Sequence, residues 1–356
     1  MPNASGLPTT GRVVFLVPDI HDLQTGGNVF NRRIVGELQP EVPVRVVRWA
    51  PEATRPAALD FSDADVIVVD SLLAQHPEAL RAVREEHPAA ALVVLVHYLR
   101  CIDPSVGDDD TAADERAALR GVDGAIATSR FVQRALSNEG LSPEQVRVVR
   151  PGLHERYRGA LPPRLHAGPP RMLTVANLLP PKGLQRVVDV LSGLRSLPWT
   201  WTLVGDDGLD PEYAAGVHRR LRRAGLTDRV TRTGVVAPDV LRAAYARADL
   251  FVLPSRFETC SLSMREAMAR GLPVAGYRVG GLPENIGDAA AGPLVPPGDT
   301  RALCAALRTL LTDPLMRRQC GREAWRRRHR FPTWTAAAEQ FREALAVLRR
   351  QAEGDA

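Results

Sequence analysis

Short apolar runs alternate with helical patterns along the chain, and the whole alternation occurs twice. The first half predicts strands over residues 13–17, 44–49, 66–69, 92–96, 125–127 and 146–149, and helices over residues 28–38, 72–86, 112–121 and 130–137. Strands that alternate with helices in this way are typical of parallel sheets in doubly wound α/β domains. The first half therefore predicts a Rossmann-like domain.

The second half repeats the pattern after a segment rich in proline, glycine and arginine. It predicts strands over 172–176, 201–204, 230–233, 250–253 and 273–276, and helices over 184–194, 212–224, 238–246, 261–270, 300–312 and 335–350. A chain of 356 residues fits two domains of ordinary size. We predict a disordered tail over 1–10, a first domain over 11–152, a linker over 153–170, a second domain over 171–330 and a final helix over 331–356.

Composition limits the classes of protein that remain. The four cysteines have neither C-x-x-C spacing nor a cluster with histidine, which indicates a reducing compartment and no structural zinc. No apolar run approaches the ~18 residues of a membrane span, and residues 1–10 lack the basic start of a signal peptide. These features predict a cytoplasmic protein without a transmembrane span.

The charge balance bears on possible partners. The net charge is +5 and the pI is about 9.4, but aromatic residues make up only 5% of the chain. Nucleic-acid binders usually interleave basic patches with stacking rings, so no nucleic-acid partner is expected. The densest basic run covers residues 317–330. It predicts either a solvated helix face or a contact with an anionic membrane surface, and the sequence leaves both open.

Two glutamates eight residues apart, Glu258 and Glu266, mark the most specific candidate site. Glu258 is predicted in the loop after a strand, and Glu266 about one turn into the helix that Gly271 and Pro273 end. Ligands of open α/β sheets bind at this edge, and a helix N-terminus suits a phosphate. The helix dipole alone favours an acid early in a helix. The pair, in contrast, indicates acids that hold hydroxyl groups, such as those of a sugar and a ribose.

Lys182 is the only lysine among 46 basic residues. It is predicted in a loop between the strand over 172–176 and the helix over 184–194, again where a strand ends. A compact, flexible ammonium can act as a point charge where a planar guanidinium cannot. We therefore predict that Lys182 reaches a diphosphate.

The segment from Glu258 to Glu266 resembles the E-x7-E signature of retaining glycosyltransferases of family 4, whose fold is GT-B. The resemblance extends over nearly the whole chain and is strongest over residues 172–297. It implies an α/β fold of two Rossmann-like doubly wound domains that face a central cleft, with the last helix crossing back to the N-terminal domain. It also implies transfer of a sugar from a nucleotide diphosphate sugar, UDP- or GDP-sugar first, to a hydroxyl of a small-molecule, glycan or lipid acceptor. The anomeric configuration would be retained, without a metal or another cofactor.

The resemblance implies a donor site in the second half. Lys182 would neutralise the departing diphosphate, Glu258 would hold hydroxyls of the transferred sugar, and Glu266 would hold the ribose. Gly205 would let the backbone approach the nucleotide, and Val235 would read the base through its backbone.

Two further parts of this donor site depart from the family pattern. Backbone N–H groups are expected to hold phosphate and sugar where the family often has Gly-Phe-Gly, at the positions of Thr259, Cys260, Ser261 and Leu262. Asn177 stands near the place of a family arginine, so a second diphosphate cation would have to come from Arg256 or Arg186.

In the first half the resemblance places Gly26 and Gly27 near the donor diphosphate and the acceptor. The glycines permit close backbone approach, and the missing G-x-G-x-x-G pattern argues against a nicotinamide cofactor. His97 ends a predicted strand, and the family often has a histidine there that contacts the transferred sugar or its phosphate. Candidates for acceptor binding are Asn28, Tyr98, Arg100, Ser129 and Arg130.

Other functions stay open at this point. A nucleotide-sugar epimerase or hydrolase would keep the fold and change the reaction. A catalytically silent partner of another glycosyltransferase is the alternative from a different class, and the asparagine at position 177 is the feature that favours it.

Overall fold

The computed structural model describes residues 11–50, 59, 61, 63–161, 168–287 and 290–354. The predicted tail over 1–10 and residues 162–167 of the predicted linker lie outside the described residues. Within them, the chain divides into two compact units, one formed by residues up to Gly152 together with those from Pro332 onward, the other by Leu153–Phe331.

The first unit contains a six-stranded parallel sheet. Its strands are β1 (Val13–Pro18), β2 (Val44–Trp49), β3 (Val66–Asp70), β4 (Ala91–Val96), β5 (Gly124–Ala127) and β6 (Val146–Val148), in the order β2-β1-β3-β4-β5-β6. Every residue of β1, β3 and β4 is buried. Strands covered on both faces show unbroken apolar runs, which is why these three were readable from the sequence.

The helices that flank this sheet are α1 (Gly26–Leu38), α2 (Pro77–Glu86), α3 (Asp110–Leu119) and α4 (Arg130–Asn138). The prediction of one helix over 72–86 was wrong, because the segment consists of a 3-10 helix, Ser71–Gln75, followed by α2. Pro77 is the reason. It has no N–H to donate to a preceding turn and is accommodated only at the start of a helix.

The second unit contains another six-stranded parallel sheet. Its strands are β7 (Arg171–Val175), β8 (Thr200–Val204), β9 (Val230–Gly234), β10 (Leu250–Leu253), β11 (Val274–Tyr277) and β12 (Leu294–Val295), in the order β12-β11-β10-β7-β8-β9. Its helices are α5 (Leu184–Ser192), α6 (Pro211–Arg223), α7 (Pro238–Arg247), α8 (Leu262–Ala269), α9 (Leu282–Ile286), α10 (Thr300–Thr312) and α11 (Pro314–Arg327). The predicted strands and helices of this half are confirmed to within two residues, and β12, α9 and α11 are additional.

The start of the predicted linker and the last helix belong to different units. Leu153 and Tyr157, at the start of the predicted linker, are buried in the hydrophobic core of this unit. The last helix, α12 (Trp334–Ala352), packs on the first unit: the Phe341 ring stacks on Phe15 with centroids 5.6 Å apart, and the Thr335 hydroxyl donates to Glu37 over 2.8 Å. No helix among the described residues is long and apolar enough to cross a bilayer.

Candidate active site

Lys182 and Glu258, predicted from separate signals, meet at one edge of the second sheet. Lys182 follows β7 and Glu258 follows β10, and these two strands are neighbours. The Lys182 Nζ lies 2.8 Å from Glu258 Oε1, which also accepts a hydrogen bond of 2.8 Å from the Ser255 hydroxyl. The side chain of Glu258 is only 8% exposed and that of Lys182 28%. A carboxylate so far removed from water needs such partners, and loss of one of them is costly.

Glycine backbones bring the two loops together. Gly183, directly after Lys182, has φ 65°, and a Cβ atom there would clash with the Pro254 carbonyl oxygen. Gly280 has φ 52°, and a Cβ atom there would clash with the Glu258 carbonyl oxygen, which accepts a hydrogen bond of 2.8 Å from the Gly281 N–H. Only glycine permits these conformations and contacts without strain. The position of the ion pair is therefore fixed by backbone packing on both sides.

Glu266 lies in α8 and is oriented by a tyrosine. Its Oε2 accepts a hydrogen bond of 2.8 Å from the hydroxyl of Tyr245, whose ring is fully buried. Burial, and next the charge of Glu266, raise the pKa of Tyr245 well above its usual value, so the hydroxyl keeps its proton and donates. The sequence did not single out Tyr245, because one aromatic residue in an apolar helix pattern carries no functional signal.

The loop between Glu258 and α8 has a strained backbone. Ser261 is the only non-glycine residue with positive φ among those described, with φ 66° and ψ 93°. Its hydroxyl accepts from the Met264 N–H, as an N-cap. The Cys260 carbonyl accepts from the Asn285 amide at 2.5 Å, and Asn285 is held by the buried Arg265 at 2.8 Å.

Two of the predicted donor residues, Asn177 and Gly205, have local structural roles, and a third, Val235, is exposed. The Asn177 amide oxygen accepts a hydrogen bond of 3.1 Å from the Asp206 N–H. A Cβ atom on Gly205 would clash with the Ala176 carbonyl oxygen, so this glycine permits a close approach of two strand ends. Val235 is 52% exposed just after β9. The predicted roles of these residues in nucleotide binding stay predictions.

The two arginines considered as replacements for a family arginine lie near one tyrosine. Burial raises the pKa of the Tyr213 hydroxyl, while the charges of Arg256 and Arg186 oppose this rise. The same hydroxyl is 3.5 Å from the Gln185 N–H in the first turn of α5. The predicted contact of either arginine with a diphosphate stays a prediction.

In the first unit, His97 belongs to a buried hydrogen-bonded network that follows β3 and β4. Its Nε2 is 2.7 Å from Asn31 Oδ1, and Asn31 Nδ2 donates to Asp70 Oδ2 over 2.6 Å. The backbone N–H of His97 donates to the Ser71 hydroxyl over 3.1 Å. Asn31, Asp70 and Ser71 are all buried. None of these three was predicted as a site residue.

The network determines the tautomer of His97. Because the Asn31 amide nitrogen donates to Asp70, its oxygen faces His97 and must accept, so His97 Nε2 carries the hydrogen. Burial lowers the pKa of His97, and the charge of Asp70 opposes this only in part. The imidazole is therefore neutral near pH 7, with Nδ1 as its hydrogen-bond acceptor.

Gly26 and Gly27 differ in how closely their backbones approach His97. A Cβ atom on Gly27 would lie 2.9 Å from the His97 ring, whereas one on Gly26 would meet no atom within 4 Å. Asn28 is buried, and its amide donates to the carbonyls of Ile20 and Leu23 over 2.8 and 3.1 Å. Asn28 thus holds the loop that precedes α1, and its predicted contact with an acceptor stays a prediction.

The other acceptor candidates are arranged differently. The Tyr98 hydroxyl donates to Asp103 over 3.1 Å, and Arg100 forms an ion pair with Asp109. Ser129 is buried and caps α4 through the Val132 N–H, whereas Arg130 is exposed. The hydroxyl of Ser129 therefore serves the helix, and Arg130 is the residue of this set most open to solvent.

No three histidine, cysteine, aspartate or glutamate side chains gather as metal ligands would in the part of the chain that the structure describes. The expectation of a reaction without metal stays a prediction.

Two Rossmann-like units, each built on a six-stranded parallel sheet, define the GT-B fold. The structure is similar to sucrose-phosphate synthase from Thermosynechococcus elongatus, with a TM-score of 0.76, 22% identity and coverage of 93% of this chain and 97% of that one. It is also similar to Anabaena Alr3699/HepE in complex with UDP and glucose, with a TM-score of 0.75, 20% identity and coverage of 93% and 98%.

Sequence comparison finds similarity to glycosyltransferases. Residues 169–313 match the family model described as glycosyl transferases group 1. The chain is 32% identical over 161 residues to 2-deoxystreptamine glucosyltransferase of Streptomyces kanamyceticus, covering 44% of this chain and 41% of that protein. It is 30% identical over 207 residues to MMP alpha-(1->4)-mannosyltransferase of Mycolicibacterium hassiacum, covering 58% and 49%. The chain thus spans about half the length of these relatives or less. The region matched by the family model contains Lys182, Glu258 and Glu266.

Proposed function

We propose that this protein is a retaining glycosyltransferase of family 4 that moves a sugar from a UDP- or GDP-sugar to a hydroxyl acceptor without a metal ion. The observation that carries the proposal is the Lys182–Glu258 ion pair at the edge of the second sheet, beside the N-terminus of α8. A cation and an acid at a phosphate-binding edge suit a ligand with both a diphosphate and sugar hydroxyls. The match over residues 169–313 supports this reading.

In the proposed reaction each charged group has one task. Lys182 exchanges Glu258 for the donor diphosphate and stabilises the negative charge that grows there as the sugar leaves, an electrostatic effect that is often the largest contribution to catalysis. Glu258, released from Lys182, accepts hydrogen bonds from the sugar hydroxyls. Glu266 accepts from the ribose hydroxyls, with its carboxylate oriented by Tyr245.

His97 contributes a neutral acceptor. Because the Nε2 hydrogen faces Asn31, Nδ1 is the atom through which His97 would accept a hydrogen bond from a sugar hydroxyl. Burial disfavours the charged imidazolium, so His97 is a poor general base. The acceptor proton is therefore left to the departing phosphate.

Binding of nucleotides without added metal tests the proposal. Titration calorimetry of UDP, GDP, ADP and NAD on the wild-type protein should detect one nucleoside diphosphate. Lys182→Ala should lower its affinity and the turnover of its sugar conjugate by about 100-fold, as expected when one aligned charge is removed. Arg223→Ala, which removes one exposed positive charge from α6 in the same unit, is the matched control and should behave as wild type. Binding of none of the nucleotides would refute the donor assignment.

A catalytically silent partner is the second candidate, favoured by one observation. Asn177 stands where the family has an arginine, and its amide is bonded to the Asp206 backbone. Donor turnover by the purified protein excludes this candidate, and turnover to a free or epimerised sugar without any acceptor would favour a hydrolase or epimerase. The configuration of a transferred sugar, read by NMR of the product, tests retention separately.

A further inference from the structure

One face of α11 carries apolar and basic side chains in a row. Leu315 and Met316, in its first turn, are 70% and 40% exposed. Arg318, Arg322 and Arg326 follow at helical spacing and are exposed as well. Residues three, seven and eleven positions after Leu315 lie on one side of a helix. Met316 lies about 100° round the helix from Leu315, at the border of this side, and its sulfur is 3.8 Å from that of the buried Cys320. Leu315, the three arginines and the bordering Met316 are together called the α11 stripe.

The rest of the helix holds the stripe in place. The Asp313 side chain accepts hydrogen bonds of 2.9 Å from the N–H groups of both Leu315 and Met316. On the opposite face, Gly321 and Ala324 are buried, and a Cβ atom on Gly321 would lie 2.5 Å from the Gly271 carbonyl oxygen. Leu315 and the three arginines therefore point away from the unit on a helix that is fixed against it, and Met316 borders them.

The charges of the stripe are mostly of one sign. Glu323 pairs with Arg326 over 2.7 Å, and such exposed pairs contribute little. Arg317, by contrast, turns inward and donates to the Leu310 carbonyl over 2.6 Å, so it is not part of the stripe. An exposed leucine and methionine next to three arginines combine an apolar surface that favours leaving water with charges that favour an anionic surface.

We propose that the α11 stripe docks the second unit on an anionic lipid bilayer, with Leu315 and Met316 below the headgroups and the three arginines among them. A nucleic-acid backbone would satisfy the arginines but would leave the two apolar side chains in water. The nearby Trp325 ring is covered by Arg328, whose guanidinium lies 3.5 Å from the ring centroid. It is therefore not presented for stacking against a base.

The helix α6 offers a matched comparison within the same unit. It carries Arg219, Arg222 and Arg223, all exposed, but no large exposed hydrophobic residue among the positions described. A triple substitution to glutamine removes the same charge from either helix. General electrostatic attraction would be weakened equally by both triple variants, whereas a docking surface on α11 would be weakened by only one.

Flotation with vesicles tests the proposal on the full chain. The wild-type protein should bind vesicles that mix phosphatidylcholine with phosphatidylglycerol, lose binding with added salt, and not bind phosphatidylcholine alone. Substitution of Arg318, Arg322 and Arg326 by glutamine should weaken binding about 100-fold, since each basic residue near an anionic surface contributes about five-fold. Leu315→Ser with Met316→Ser should weaken it about 10-fold or more. The α6 triple variant should stay close to wild type.

Three results would overturn the proposal. These are no binding of the wild-type protein to the mixed vesicles, an equal loss in the α6 and α11 triple variants, and a serine variant that binds as wild type. Binding to RNA in preference to the vesicles would favour the nucleic-acid alternative. Thermal unfolding of each variant verifies that it is folded, and all substituted side chains lie on exposed helix surface.

Discussion

The two units each gather candidate residues where parallel strands end, but they do so with opposite chemistry. In the first unit, the neutral imidazole of His97 is held by the amide of Asn31, which in turn donates to the buried carboxylate of Asp70. In the second, Lys182 and Glu258 neutralise each other as an ion pair. The first arrangement already has its hydrogen-bond direction set before any ligand arrives. Under the proposed function, the second exchanges partners when a donor binds.

The two arrangements also differ in the free energy that is lost when one partner is removed. The hydrogen bond between His97 and Asn31 joins two neutral groups, and such a bond contributes about 1 kcal/mol net, so its loss alone has a limited effect. Removing one partner of a buried ion pair costs roughly 3–5 kcal/mol, because the other charge is left without compensation. Substitutions in the second unit should therefore have larger and more charge-dependent effects than those in the first.

The largest effect is expected for Glu258→Gln, which keeps the shape and removes the charge. Turnover of the donor should fall roughly 10- to 100-fold, since hydrogen bonds to charged groups contribute about 1.5–3 kcal/mol. Affinity for the nucleoside diphosphate without sugar should stay equal or rise by up to about 5-fold, because Lys182 no longer has to leave a carboxylate. Calorimetry and initial rates measure the two quantities. A parallel loss of both would mean that the ion pair is not exchanged on binding.

Asn31→Leu tests the His97 network and should have a smaller effect on turnover. His97 loses the acceptor that fixes its tautomer, so its ring nitrogens should show a mixture of tautomers by ¹⁵N NMR. We expect kcat to fall about 10-fold with little change in KM for the donor, because Nδ1 accepts in only part of the molecules. The free energy of unfolding should fall as well, because the buried Asp70 carboxylate loses the Asn31 amide that donates to it. If the tautomer is unchanged, Asn31 does not position His97, whatever happens to the rate.

The next effect is a loss of stability at acid pH, which we expect from His97 of the first unit. Burial lowers the pKa of His97 below its usual 6.5, so the unfolded chain binds more protons than the folded chain just below that pH. The stabilising contribution is complete above pH 6.5 and is lost as the pH falls toward the folded pKa. The loss should approach about 1.4 kcal/mol per pH unit. Urea unfolding of wild type and His97→Gln at several pH values measures it. Identical pH profiles would show that folding does not lower the pKa of His97.

The smallest effect is expected at the strained backbone of the second unit. Ser261→Gly should stabilise the protein by about 1 kcal/mol, because relief of a positive φ exceeds the small cost of replacing an N-cap by glycine. Ser261→Ala keeps the strain and loses the cap, so it should destabilise by about 1 kcal/mol. Thermal unfolding compares them. Equal stability of the two variants would mean that the conformation of Ser261 carries no strain.

The sequence supported the second site better than the first for a physical reason. Lys182 and Glu258 were each visible as exceptional residues after an apolar strand, and the structure joins them. Asp70 also ends such a strand, as His97 does, so the same rule applied to β3 would have found it. Asn31 lies on the buried face of α1 with Phe30 and Ile34, and a polar residue on an apolar face was the signal that went unused.

Other features depend on contacts that a linear pattern does not contain. The Tyr245–Glu266 hydrogen bond joins α7 to α8, and the Arg265–Asn285 pair joins α8 to α9. The positive φ of Ser261 could not be predicted either, because a glycine suggests a positive φ and a serine does not. Strand β12 has two residues, which is too short to show the residue pattern of a strand.

The solitary lysine has a practical consequence for studying the protein. An amine-directed acylating dye can modify only Lys182 and the chain's α-amino group, because the other 45 basic side chains are arginines. The ammonium of Lys182 must leave Glu258 and lose its proton before it reacts, so its labelling rate follows the opening of the ion pair. A ligand that occupies the ammonium would protect it. The chain thus carries its own single side-chain reporter of occupancy, without any engineered cysteine.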